Sequence, residues 1–114
     1  MLHIYTIQIS KARQLGLGQD PRYLDTTVKS GDPIFAPAWE MVMGVKKGRM
    51  SEEDYARKYY AMMRESYRQN RQRWDEVLGR EEVILACYCR PDTFCHRYLL
   101  KDMLICRANQ VWAA

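Results

Sequence analysis

The stretch EEVILACYCRPDTFCHRYLL, Glu81 to Leu100, decides the fold. Val83 to Tyr88 is a continuous apolar run, the pattern of a strand covered on both faces in a parallel sheet. Beyond the loop, TFCHRYLLKDMLICR places Leu99, Leu100, Met103 and Leu104 at helical spacing. A buried strand therefore runs through a cysteine- and arginine-bearing loop into a helix. In open α/β sheets that edge is where ligands bind, because the loops leave a crevice and the helix start offers unpaired backbone N–H groups.

Working outward, LHIYTIQI, Leu2 to Ile9, is apolar on both alternating faces and predicts a first covered strand. A short second strand is expected over Arg22 to Thr26, ending where Thr27 to Pro33 turns polar. APAWEMVMG, Ala36 to Gly44, predicts a short helix with Pro37 in its first turn and Gly44 as its left-handed stop. Ser51 and Asp54 have capping-box spacing, with Met50 and Tyr55 as a hydrophobic staple, so a long helix should begin at Glu52. Its apolar positions, Tyr55, Tyr59, Met62, Met63, Tyr67, Trp74, Val77 and Leu78, run on to a stop at Gly79. Arg57, Arg64, Arg68 and Arg71 share another side of that helix. They read as a solvated basic face or, in the sharper alternative, as a ridge facing phosphate. The order strand, short strand, helix, long helix, strand, helix predicts a small three-layer, Rossmann-like α/β sandwich with a mainly parallel sheet.

A chain of 114 residues suits one domain spanning 1–114 and is too short for two large cores. With 47% hydrophobic and 28% charged residues it has material for a core and lacks the composition of disorder, so it should fold alone or as a small homo-oligomer. The opening MLHIYTIQIS fits neither a signal peptide nor a membrane span, so a cytoplasmic location and reduced cysteines are expected. A formal net charge of +4 permits an anionic partner without demanding one.

Three chemistries compete for the loop. A metal site, zinc or iron, would draw on Cys89, Cys95 and His96, with Cys87 or Asp25 as a fourth ligand. Against it stands the spacing, C-x-C then C-H, which lacks the paired C-x-x-C of zinc knuckles. Thiol chemistry would use Cys95, whose thiolate a helix start and neighbouring arginines would favour, with Asp92 or Thr93 as the cap. The plainer use of Cys95 is packing beneath the loop, and Cys87 reads as core. Anion binding would place a phosphate between Arg90 and Arg97 at the helix start. Loop position, dipole and charge agree on this third reading.

Two further residues fall at the same edge. Asp25 is a candidate acid, base or metal partner if its strand neighbours that of Cys89, or else a turn-forming Asp bonding nearby N–H groups. Trp39 can line the pocket and stack on a base, or fill the core.

VILACYCRPDTFCHRYLL resembles the signature of the DUF488 family: an apolar strand, a cysteine-bearing loop and a C-H-R triplet opening the last helix. FAPAWEMV followed by GRMSEEDYARKYYAMMRESYRQN and RW is similar to short DUF488-like proteins of bacteria and phages, so the resemblance spans roughly Ile4 to Leu104. It implies a compact α/β fold with a pocket around Cys95, His96 and Arg97, and puts Asp25 of LDTT where the family has an acidic residue. Larger members read Asp-Val-Arg there; this chain has Thr26 and Thr27 instead. The family name records an unknown function, so the resemblance implies fold and pocket rather than an activity.

These readings give a leading expectation and two alternatives. The first is a pocket for a phosphate-bearing molecule, a nucleotide or nucleic acid, with Arg90 and Arg97 holding the anion, Cys95 as nucleophile or phosphate neighbour, and His96 and Asp25 moving protons. Cys89, Thr93 and Trp39 would complete its lining. The alternatives are a small metal-binding module and a non-enzymatic interaction protein using the arginine ridge on an acidic partner.

Overall fold

The computed structural model describes residues 2–89 and 94–108. Three strands, β1 (His3–Gln8), β2 (Tyr23–Asp25) and β3 (Glu82–Cys87), form one parallel sheet in the order β1-β3-β2. Helices flank it: α1 (Ile9–Gln14), α2 (Trp39–Lys46), α3 (Glu52–Gln69), α4 (Arg71–Leu78) and α5 (His96–Ala108), with a single 3-10 turn at Leu17–Gln19. This is a small Rossmann-like α/β fold. No helix among the described residues is long and apolar enough to cross a membrane.

β3 is central for the reason its sequence gives. Val83 through Cys87 are all buried, which only a strand covered on both faces and paired on both edges achieves. The register sets Gln8 opposite Cys87 and Asp25 opposite Ala86. The carboxyl ends of all three strands therefore meet at one edge, where α5 begins.

The core forms where α3 and α4 press Tyr55, Tyr59, Met63, Tyr67, Trp74 and Val77 against Leu24, Val83 and Leu85 of the sheet and Leu100 and Leu104 of α5. Ser51 caps α3 as its spacing predicts, Oγ accepting from the Asp54 N–H at 3.0 Å.

Four local expectations are corrected. Ile9–Gln14 forms a helix, where only the end of the first strand was expected; buried Ile9 and Ala12 anchor it. Gly44 lies inside α2, and the chain leaves that helix through Gly48, whose φ of +72° is the left-handed conformation glycine tolerates. The expected long helix divides at Asn70, whose side chain donates to the Ser66 carbonyl. That break lets Trp74 Nε1 donate to Ser66 Oγ while Ser66 Oγ donates to the Ile34 carbonyl, satisfying a buried indole that a straight helix would carry elsewhere. Finally, the strand ends at Cys87, so Tyr88 lies in the following bend.

Candidate functional site

Asp25 builds the first wall of the strand edge. Its Oδ1 accepts from the Thr27 N–H at 2.9 Å and Thr27 Oγ1 at 2.8 Å, and its Oδ2 accepts from Ser30 Oγ at 2.6 Å. The loop closes so tightly that a Cβ on Gly31 would meet the Asp25 carbonyl and the Thr27 nitrogen at 2.5 Å, so no other residue fits there.

Inside that loop, buried Thr26 joins β2 to β3 and α5. Its Oγ1 donates to the Ala86 carbonyl at 3.0 Å and lies 3.0 Å from His96 Nε2. His96 Nε2 is also 2.8 Å from the Thr26 carbonyl. A carbonyl only accepts, so Nε2 carries the hydrogen. Burial pushes the imidazole below its ordinary range and keeps it neutral. Nδ1 is therefore a bare acceptor, 3.7 Å from Cys95 Sγ.

The cysteines converge on the same point. Cys87 ends β3, Cys89 follows two residues on, and Cys95 immediately precedes α5. Their sulfurs all lie within 4.8 Å of one another, close enough to hold a metal ion, and those of Cys87 and Cys95 are 3.1 Å apart. All four cysteines of the chain are free thiols. Within the cluster the thiols are unequal. Hydrogen bonding within the cluster, with the nearby Arg97 guanidinium, holds the Cys89 thiol well below the ordinary range. Hydrogen bonding to Cys89 pushes Cys87 up, hydrogen bonding to Cys87 and Cys89 pushes Cys95 up, and burial adds to both. The cluster thus concentrates thiolate character on its half-buried member.

Arg97 holds this arrangement from behind. It is 1% exposed; Nη1 donates to the carbonyls of Ile7 at 3.2 Å and Cys89 at 3.0 Å, and Nη2 donates to Tyr98 Oη at 3.2 Å. One guanidinium thereby ties the end of β1 and the second residue after β3 to the first turn of α5.

A cavity of about 430 Å³ opens in front of the sulfurs. Buried Cys87, Cys95 and His96, with Cys89, form its floor; Trp39, Tyr55, Tyr88 and Phe94 supply aromatic walls. Val28, Val42 and Val45 make the lining largely apolar, and exposed Lys29 and Lys46 stand at the mouth. Tyr55 meets Phe94 edge to face at 5.2 Å, and Lys29 Nζ lies 6.0 Å from the Trp39 ring. Size and lining suit a small organic ligand.

Residues 5–108 match the model of the family described as the active DUF488-N3 subclade. The chain belongs to the DUF488 family. No curated protein and no solved structure matches it.

Of the residues singled out in this DUF488 chain, Cys89, Cys95, His96 and Trp39 line the cavity together. Asp25 and Arg97 do not: one shapes the Thr27 to Ser30 loop, the other binds backbone carbonyls beneath it. Arg90 and Thr93 lie outside the described residues. The metal-competent group is Cys87, Cys89 and Cys95, whereas His96 commits Nε2 to Thr26. Sequence reasoning placed Cys87 in the core, which its burial bears out, yet it also reaches the cavity. The signal was the i, i+2 spacing of Cys87 and Cys89, which in extended backbone puts both side chains on one face. Lys29, Lys46 and Tyr55 carried no comparable signal, since a loop lysine and a core-spaced tyrosine are ordinary in sequence.

Proposed function

We propose that this DUF488 protein takes a phosphate-bearing ligand of the nucleotide class into the cavity and presents the Cys89 thiolate to it as the reacting group. The observation that carries the reading is the gradient along the cavity: cationic mouth, aromatic walls, cysteine floor. A flat base fits against Tyr55 and Phe94, and a phosphate fits Lys29 and Lys46, the lysines that line the cavity. Arg97 then serves the site by positioning the Cys89 backbone and adding positive charge near its sulfur. Cys95 Sγ donates to Cys87 Sγ, both sulfurs lie within 4.8 Å of that of Cys89, and His96 Nδ1 stands 3.7 Å from Cys95 Sγ. The matching subclade is described as active, and a thiolate facing a ligand cavity is the group that would carry an activity in this chain.

Titration calorimetry with nucleoside monophosphates and the matching nucleosides tests the reading. The monophosphates should bind roughly tenfold more tightly, a difference of about 1.4 kcal/mol, and Lys29→Ala with Lys46→Ala should erase that margin. Equal affinity for the two series, or no binding by either, overturns it.

The sulfur cluster favours a second reading, a zinc or iron ion bound by Cys87, Cys89 and Cys95 with its remaining position turned to the cavity. Three thiolates with one open position are a donor set that zinc accepts. Elemental analysis of protein purified without a metal-affinity step decides this: near-stoichiometric zinc or iron supports it, and a trace removes it.

A further inference from the structure

Two of the cations that line the cavity continue into a basic turn just outside it. Four helix-borne arginines, and Arg80 just after α4, are neutralised locally. Arg57 pairs with Asp54, Arg68 with Glu65, Arg71 with Asp75, and Arg73 and Arg80 share Glu76. Lys29, Lys46, Lys47 and Arg49 are exposed and make no ion pair among the described residues; Lys11, Arg13, Lys58 and Arg64 share that property but are carried singly on α1 and α3. Lys46, Lys47 and Arg49 sit on one turn, where the chain leaves α2 and folds back so that the Arg49 and Met50 N–H groups bond the Gly44 carbonyl. The nearby carboxylates of Glu52 and Glu53 belong to the first turn of α3, where the positive end of that helix attracts them.

The aromatic component lies on the same helix. Trp39 opens α2 and is 48% exposed, beside Lys29; Lys46 closes α2 about 10 Å further along the axis. An exposed indole at one end of the mouth and a basic turn at the other are the two parts of a single-strand platform: a ring on which a base stacks and cations that follow the backbone. One phosphate within reach of Lys29 and Lys46 leaves Lys47 and Arg49 without a role. A strand running past the opening uses them all.

We propose that the ligand is one nucleotide of a single-stranded nucleic acid, its base in the cavity, a neighbouring base on Trp39, and the following phosphates on Lys46, Lys47 and Arg49. The proposal rests on the nucleotide reading of the cavity and extends it from monomer to polymer. A duplex is disfavoured because its bases are stacked and paired, and a base must leave the stack to enter an enclosed site.

Fluorescence anisotropy with a labelled short oligothymidylate, set beside calorimetry with thymidine monophosphate, tests it. The oligonucleotide should bind at least roughly tenfold more tightly than the monophosphate. Lys47→Glu with Arg49→Glu should cut oligonucleotide affinity by about tenfold or more and flatten its salt dependence by about 1.4 in log–log slope, leaving monophosphate binding unchanged. Trp39→Ala should weaken the oligonucleotide by about fivefold or more, from the loss of one stacked base. Monophosphate binding with no gain for the oligonucleotide overturns this inference while sparing the nucleotide reading; failure of both ligands overturns both. Equal or tighter binding of a duplex, or displacement of the strand by an equal charge of polyglutamate, also overturns it.

Discussion

The Cys95 sulfur touches that of Cys87 at 3.1 Å, joining the residue before α5 to the last residue of β3 across the strand-to-helix connection. Cys95 donates in that contact, and the pair lies within 4.8 Å of the Cys89 sulfur, the most exposed of the three, whose thiol it helps to hold low. Cys89 should therefore be the first of the cluster to alkylate with iodoacetamide, read by peptide mass spectrometry. Since its thiol is held well below the ordinary range, its rate should stay nearly flat from about pH 6 to about pH 8, while that of free glutathione rises. Cys87→Ala or Cys95→Ala should restore a rising profile.

Thr26 contributes to stability through one hydroxyl. Thr26→Val keeps the shape but removes the donor to the Ala86 carbonyl and the contact with His96, and should lower unfolding free energy by about 1 to 2 kcal/mol. Urea denaturation measures this directly. Because Thr26 is fully buried, water cannot replace the lost partner in the folded state.

His96 predicts a pH dependence whose sign follows from its burial. Its folded value is depressed below the ordinary 6.5, so on acidification the unfolded chain takes up a proton first. Its favourable contribution is present above about pH 6.5 and is lost as pH falls through the folded value. The denaturation midpoint should drop between about pH 7.5 and about pH 5, and His96→Gln should reduce that drop.

Arg97 is the clasp of the strand edge. Arg97→Ala leaves the Ile7 and Cys89 carbonyls without this donor inside the fold and should cost about 3 kcal/mol or more. Arg97→Lys should recover only part of it, because a lysine ammonium cannot reproduce the fork that reaches two carbonyls and Tyr98. Thermal unfolding of both variants provides the comparison.

How far the sequence could be read follows from the kind of signal each residue carries. Val83 to Cys87 announced a central strand because continuous apolar character has few other uses in a chain of this size, and the Ser51 cap announced α3 because its side-chain bond is local. The interruption at Asn70 was masked by apolar spacing that continued through Trp74 and Val77; its cause, the Trp74 to Ser66 bond, is tertiary. At the site, Cys89, Cys95, His96 and Trp39 were legible because their types carry chemistry wherever they gather. Arg97 looked like an anion clamp, but the direction of a guanidinium is set by which carbonyls lie behind it. Asp25 resolves as the turn former that LDTT allowed, its oxygens engaged by Thr27 and Ser30. Lys29 and Lys46 acquire meaning only once the fold brings them to one opening.

Amide chemical-shift mapping by two-dimensional NMR, with a nucleoside monophosphate titrated into the protein, tests the central claim most directly. Saturable shifts are expected at Lys29, Trp39, Lys46, Cys87, Cys89 and His96, including the Trp39 indole N–H. Shifts confined to other surfaces, such as the Arg22 and Arg80 side of the molecule, or no saturable shift at all, would contradict it.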